Sequence, residues 1–391
     1  MYIPDKPSKA VKALCYRLNP DLQLLEVLRL PIDVRNQLFD ANVNANGLTQ
    51  YPAVLISRTG AQSIKALDRN THDLLASLVA PNTINDDQLS LLGTRAAPLL
   101  ERLVIDGILE YEDQGRFVTG AGSGITKCNR SQEWSDLLSL AAIEYGITHN
   151  ISDPVRLSAR IYFYNREPVS QPLQKLYPDS DSMLLEMQHC FRPLLFTEES
   201  SWVCRRSTPD NPGWFIFRRK NRRNKGARFK IYLSPTSTNF MEFFSKAAPL
   251  LLEDPRVERF KVGATAHGLS RPDKCVAYFR TSEDQIAVGK LLVQALGTWP
   301  AHGVPFTTPI CESLLFSTGM DPWKHERILP GYERPSWRLW ITNQIANTLA
   351  PLKQQNIQTQ RQIELLQRRL ELAGVNPNGW TLCEGSGHAF D

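Results

Sequence analysis

Apolar and polar positions alternate with a period of two in several short stretches of the chain, and that alternation predicts strands. In Arg228-Phe229-Lys230-Ile231-Tyr232-Leu233, one face carries Arg228, Lys230 and Tyr232 and the other Phe229, Ile231 and Leu233. Phe260-Lys261-Val262-Gly263, Arg271 to Phe279, Trp202 to Arg206 and Trp214 to Phe217 read the same way. Between and after them the period lengthens to that of a helix, over Met183 to Phe191, Glu283 to Leu296, Leu339 to Leu352 and Ile357 to Leu372. Trp134 to Tyr145 also has helical spacing, Leu157 to Tyr164 suits either state, and the proline-rich 168–178 reads as a loop.

The N-terminal third has a different rhythm. Ala53 to Ser57 and Ala61 to Ala66 flank Thr59-Gly60 as a hairpin would. Asp68 stands as an N-cap before Leu74, Leu75 and Leu78, and a second short helix begins at Asn85-Asp86. A third runs from Ala96 to Ile105 and ends at Gly107, and Ile108 to Tyr111 with Arg116 to Val118 forms a closing hairpin. Strand pair, three helices and hairpin predict a winged-helix unit. The expected fold class is α+β: a winged-helix domain followed by a larger α+β domain with an antiparallel sheet and C-terminal helices. The expected divisions are an extension over 1–50, the winged helix over 51–120, a linker over 121–133, the larger domain over 134–352, and an amphipathic helix and tail over 353–391.

At 391 residues the chain is long enough for two or three cores, and its 42% hydrophobic content describes a folded protein. A net charge of +5 is too small to imply a general affinity for nucleic acid. The basicity is local, in the acid-free run Arg218 to Arg228, for which an exposed loop is the commonest explanation. The seven cysteines are scattered singly, without a CxxC pair, which argues against a zinc site or disulfide framework and suits a reducing cytoplasm. No apolar run reaches the roughly 20 residues of a membrane span. Phosphate-loop, dinucleotide and GxSxG patterns are lacking, so no cofactor and no metal are expected.

Leu67 to Leu78 (LDRNTHDLLASL) and Leu99 to Leu109 (LLERLVIDGIL) resemble the PqqD-like domain with which peptide-modifying enzymes recognise a precursor's leader. The resemblance implies leader binding at Val54, Leu55 and Ile56 of the hairpin and at Leu99 and Leu103 of the third helix, by addition of a strand. The alternatives are a DNA-binding winged helix, disfavoured because Arg95 and Arg102 are offset by Glu101 and Asp106, or a purely structural unit.

The order of parts from 214 to 350 resembles the Hop-type effector family, whose homologues in lanthipeptide and thioamitide clusters are regarded as lyases removing phosphate from phosphoserine or phosphothreonine. The strings are Lys230-Ile231-Tyr232, FKV at 260–262, RPDKCVAYF at 271–279, GVPFT at 303–307, GMDP at 319–322 and Ser336-Trp337-Arg338. The last departs from the family, which has a glycine- and histidine-containing segment there. The resemblance implies catalytic Lys230, Lys261 and Tyr232, with Arg271 and Asp273 as an Arg-x-Asp step.

Elimination needs a base for a weakly acidic α-proton and a cationic clamp for the phosphate. A lysine serves as base only where desolvation or neighbouring cations depress its pKa. Clustering Lys230 with Arg228, Lys261 or Lys274 provides that, with Arg228, Arg271, Lys274 and Arg338 holding the anion and His267 or His302 as proton donor. For Lys230 and Lys261 a solvated strand face is an equally weighted alternative, and Asp321 reads as a turn residue beside Pro322. The expected function is maturation of a ribosomally made, post-translationally modified peptide. Its expected partners are the leader region of the precursor and a kinase or other tailoring enzyme, with no membrane or nucleic-acid partner. The alternatives are a non-catalytic precursor-binding partner and an aromatic prenyltransferase of the antiparallel-barrel type.

Overall fold

The computed structural model describes residues 14–32, 52–57, 65–92, 96–120, 136–195, 197, 199–207, 213–220, 226–322, 335–353, 355 and 357–382. The expected turn at Thr59-Gly60, the 121–133 linker, Trp134 and the middle of the basic run (221–225) lie outside these residues.

The N-terminal strands β1 (Cys15–Leu18), β2 (Leu22–Glu26), β3 (Ala53–Ser57) and β4 (Lys65–Leu67) lead into α1 (Arg69–Ser77). Asp68 caps α1 by accepting from the Thr71 amide. β5 (Asn82–Thr83), α2 (Asp86–Leu92), α3 (Ala96–Ile105) and the hairpin β6 (Leu109–Asp113)–β7 (Arg116–Val118) follow. The stretch expected as an extension contributes to both sheets here: β1 sits between β5 and β6, and β2 pairs with β3.

Four helices precede the large sheet: α4 (Leu137–Thr148), α5 (Pro154–Tyr162), α6 (Gln171–Leu176) and α7 (Ser180–Leu195). Thus Leu157 to Tyr162 is helical, and the proline-rich loop contains a short helix that Ser170 caps. Next come β8 (Trp202–Arg206), β9 (Trp214–Arg219), β10 (Phe229–Leu233), α8 (Phe240–Glu253), β11 (Arg259–Gly263), α9 (Ala266–Leu269), β12 (Cys275–Phe279) and α10 (Ser282–Leu296). The chain then forms β13 (Thr308–Pro309), β14 (Phe316–Met320), α11 (Trp337–Lys353) and α12 (Thr359–Leu372). The large sheet has the order β13-β14-β10-β12-β11-β9-β8, antiparallel throughout. Among the described residues it is open, with β13 and β8 at its edges, which removes the antiparallel-barrel premise of the prenyltransferase alternative.

The strand alternation sorts directly into two environments. Ile231, Leu233, Phe260, Val262, Cys275, Ala277, Phe279, Phe215 and Phe217 bury one face of the sheet against α7, α8 and α10, where Phe243, Phe244 and Leu292 complete the core. α4, α5, α11 and α12 form a second core around Ile161, Trp340, Ile345 and Leu366. Trp337 carries that core to the sheet: its indole donates to the Phe306 carbonyl at 2.8 Å and its ring lies against Gly319. A Cβ at Gly319 would stand 2.8 Å from the Trp337 ring and 3.1 Å from that of Tyr232. The glycine therefore sets how closely helix and strand approach.

α12 is a docking helix within the chain. Its Arg368 forks onto Glu101 of α3 with two contacts of 2.8 Å, and Arg369 binds Asp106 at 2.6 and 3.1 Å. Ile105, Leu352 and Leu365 pack beneath them. α3 is thus engaged by α12 through Glu101 and Asp106. Among the described residues no helix is long and apolar enough to cross a membrane.

Arg369→Met leaves the buried Asp106 without its main cation, and breaking such a pair costs about 3 kcal/mol. The expected result is a lower urea midpoint with an unchanged far-ultraviolet spectrum. An unaltered midpoint would show that the pair does not join the two parts of the chain.

Candidate active site

The face of the sheet opposite α7, α8 and α10 is built in rows, because the register of each strand pair fixes which side chains lie side by side. One row runs Val203, Arg218, Arg259, Tyr278, Lys230, Gly319 across β8, β9, β11, β12, β10 and β14. The next runs Arg205, Ile216, Lys261, Val276, Tyr232, Ser317 across the same strands. Three of the four predicted catalytic residues, Lys230, Lys261 and Tyr232, thus share one face of neighbouring strands.

Lys230 is 3% exposed, and its ammonium lies 2.5 Å from Asp321 Oδ1 and 5.1 Å from the centre of the Tyr278 ring. Burial pulls its pKa down, Asp321 pushes it back up, and Arg259 adds to the depression. The same Asp321 oxygen accepts the Trp337 amide at the start of α11 at 2.8 Å.

Lys261 is half-buried, and its ammonium rests 3.7 Å from the centre of the Trp214 ring. Unlike Lys230 it has no ion pair or hydrogen bond among the described residues. Its pKa is lowered by burial, against which Tyr278 and Asp273 push it up, with smaller repulsion from Lys230 and Arg271. Tyr232 is buried beside Val276, Tyr278 and Val304, and burial keeps its hydroxyl protonated well above the usual phenol range.

The four predicted anion-binding cations are engaged within the protein. Arg228 donates from Nε and Nη2 to the Asp321 carbonyl at 3.0 and 2.9 Å. Arg271 forks onto Asp273 at 2.9 and 3.2 Å, also donates to the Tyr162 hydroxyl, and stacks 4.7 Å from the Trp214 ring centre. Arg338, 1% exposed, reaches the Pro305 and Tyr162 carbonyls and the Asp273 carboxylate at 3.2, 2.9 and 3.2 Å. Lys274 is fully buried, with the Pro235 carbonyl, His302 Nδ1 and Glu167 at 2.6, 2.9 and 3.6 Å. The Pro235 carbonyl and His302 Nδ1 take two of the ammonium's three protons and Glu167 stands as its counter-ion, so Lys274 is engaged within the protein. Burial pulls Lys274 down to about 8 and His302 down to about 4. The neutral imidazole then accepts from Lys274 at Nδ1 and donates from Nε2 to the Asn165 carbonyl. His267 lies apart from the lysines' row, exposed on α9.

Asp273 organises the neighbourhood. Burial alone would push its carboxyl up, but Arg271 and Arg338 hold it well below the usual carboxylate range, and it accepts the Tyr162 hydroxyl at 3.0 Å. Burial beside that carboxylate pushes the Tyr162 phenol up to about 12.

Two further cations complete the face: Arg218, from the start of the basic run, and Arg259. Arg218 and Arg259 are direct cross-strand partners, both half-buried, and the Nε of each is buried without a hydrogen-bond partner. Arg259 stacks 4.1 Å from the Tyr278 ring centre. Burial lowers the basicity of Arg218, and Arg259 and Arg205 lower it further by repulsion. Among the described residues neither arginine has an ion pair. Alternation in Trp214 to Arg219 places Arg218 on the side of Trp214, but pairing with Arg259 is a long-range register that no local pattern carries.

The predicted leader-binding residues lie in the N-terminal core: Val54, Leu55 and Leu103 are buried at 0%, 2% and 5% exposure, while Ile56 and Leu99 are partly exposed. The buried three hold the two sheets and α3 together and offer a ligand no side-chain surface.

No family model matches the chain. No curated protein matches it. Among solved structures, an effector protein from Pseudomonas syringae pv. tomato aligns over 63% of this chain and 97% of its own at 12% identity and a TM-score of 0.43. One from Pseudomonas syringae pv. syringae aligns over 64% and 99% at 14% identity and 0.40. The phosphothreonine lyase effector from Shigella flexneri aligns over 29% and 68% at 14% identity and 0.26. Likeness at this level carries no statement about activity, which has to be read from the site itself.

Asp273 holds its proton far less readily folded than unfolded, so its contribution to stability is complete above about pH 4 and is lost as pH falls towards its depressed folded value. Urea stability of the native chain should therefore decline below that pH. Asp273→Asn should remove its share of the decline while lowering stability at pH 7, where two arginines lose their carboxylate. Parallel profiles for the two proteins would contradict this assignment.

Proposed function

We propose that this face eliminates phosphate from a phosphoserine or phosphothreonine side chain of a peptide. The observation that carries the reading is the pair Arg259 and Lys261. They project from one face of one strand, about 6.7 Å apart at Cα by strand geometry, without an ion pair among the described residues, beside buried Lys230. Like charges packed together are costly unless an anion joins them, and a phosphate is the anion a guanidinium fork fits.

Arg259, with Arg218 beside it, holds the phosphate dianion. Lys261, its amine made available by desolvation, takes the α-proton. The electron pair released forms the Cα–Cβ double bond as the Cβ–O bond breaks. The departing phosphate oxygen takes a proton from the Lys230 ammonium and leaves as hydrogen phosphate. The proton gained by Lys261 returns to Lys230, so the enzyme is unchanged and the peptide carries a dehydroamino acid. Tyr232, protonated throughout, donates a hydrogen bond to the charge that develops on the substrate. His267 is placed too far out on the surface to be assigned the acid's part.

Dehydroamino acids are the reactive precursors of cross-links in modified peptides, which is why the wider reading is a tailoring step in peptide maturation. The leader is proposed to dock on the N-terminal module by backbone pairing at a sheet edge, and a kinase is the class of partner that would supply the phosphate. A binding partner without catalysis is the second reading, supported by the internal engagement of Arg271, Arg338 and Lys274.

A phosphothreonine peptide incubated with the protein should lose phosphoric acid by mass and gain ultraviolet absorbance. Lys261→Ala should slow this by about 10²–10⁴-fold, the usual contribution of a positioned base. Arg259→Ala should mainly raise KM. Binding of the peptide with no change in its mass would select the second reading, and full activity in Lys261→Ala would dismiss the base.

A further inference from the structure

The two lysines lie on adjoining rows, two strands apart, in opposite surroundings, and Asp321 is the difference. Its Oδ1 accepts both the Lys230 ammonium at 2.5 Å and the Trp337 amide at 2.8 Å, while its carbonyl takes two donors from Arg228. One residue therefore fastens β10, the end of β14 and the first turn of α11 to each other. Lys261, one row away, has the Trp214 ring where Lys230 has a carboxylate.

We infer that Asp321 is a positioning residue that divides the labour of the two lysines, holding Lys230 as the ammonium that protonates the leaving group and leaving Lys261 as the base. The inference rests on the elimination reading for its chemistry, but its electrostatic core does not. The charged and titratable groups facing Lys230 are Asp321 beyond β14, Tyr278 on β12, Arg259 and Lys261 on β11, Tyr232 on its own strand and Asp273 before β12. Of these, Asp321 alone is both anionic and in contact with the ammonium. Tyr278 presents its ring face, Arg259 and Lys261 repel, and Asp273 is taken up by Arg271 and Arg338. Removing the Asp321 charge exposes Lys230 to burial and repulsion together, and both favour the neutral amine.

The test uses the full chain labelled with ε-¹³C lysine, with the Lys230 resonance assigned by Lys230→Arg. Asp321→Asn, which keeps an acceptor for the Trp337 amide, should lower the pH at which Lys230 titrates by about one unit or more. Asp321→Glu should restore most of the native value. In the elimination assay, the alkaline limb of the pH–rate profile should move down in Asp321→Asn and return in Asp321→Glu, with KM little changed. A Lys230 resonance that titrates at the same pH in native and Asp321→Asn protein would falsify the inference. So would an alkaline limb that stays in place while activity falls, which is the mark of a merely structural role. If the native protein eliminates no phosphate, the elimination reading fails and the resonance still decides what Asp321 does.

Discussion

The Asp273 carboxylate is the fixed point of the molecule. It is buried between the guanidiniums of Arg271 and Arg338 and accepts the Tyr162 hydroxyl, so one charge gathers the loop before β12, the first turn of α11 and the end of α5. Such a cluster is stable only when complete, because each ion has left water and depends on its neighbours to replace the hydration it lost. Its completeness has a second effect. Arg271 and Arg338 are both paired with Asp273, so they shape the wall of the site. Arg271 also lies against Trp214, whose ring is in turn the surface on which Lys261 rests.

Charge is distributed unevenly over the sheet face as a result. Asp273 is shared by Arg271 and Arg338, Asp321 pairs with Lys230, and Glu167 stands with Lys274 and His302 at one border. Arg218, Arg259 and Lys261 are left in a contiguous group. Each is partly desolvated by its neighbours, which makes the group poor at holding water and well suited to a compact dianion. Stacking on Tyr278 and Trp214 reduces the cost of keeping these cations close, since a ring face attracts a cation without neutralising it.

Much of this was legible in the chain. Alternation in Phe229 to Leu233 and in Phe260 to Val262 is a local property, and it separated the core face from the face bearing Lys230, Tyr232 and Lys261. The Asp68 cap and the α+β class were equally local. The anion site was less legible for a physical reason. A basic residue announces its charge in the sequence but not always its counter-ion: Arg228, Arg338 and Lys274 find acceptors brought by distant segments, while Arg271 pairs with Asp273 two residues on. Arg218 was hidden inside a run that looked like an exposed loop, and Arg259 stood alone. Only the register of β9 against β11 makes them a pair. Asp321 looked like a turn residue because Pro322 follows it, but its carboxylate is directed back onto the strand.

Two lysines on one face of the sheet could have been interchangeable, and the surrounding sheet prevents it. Lys230 lies next to Gly319, and the missing side chain there lets Trp337 and the start of α11 press against the strand, which carries Asp321 into contact. Lys261 lies between Ile216 and Val276, where no acid can approach along the row. A glycine on one strand and two branched aliphatics on others thus decide which amine is held charged and which is free to lose its proton. The chemical asymmetry of the site is a packing asymmetry first, and the charges follow from it.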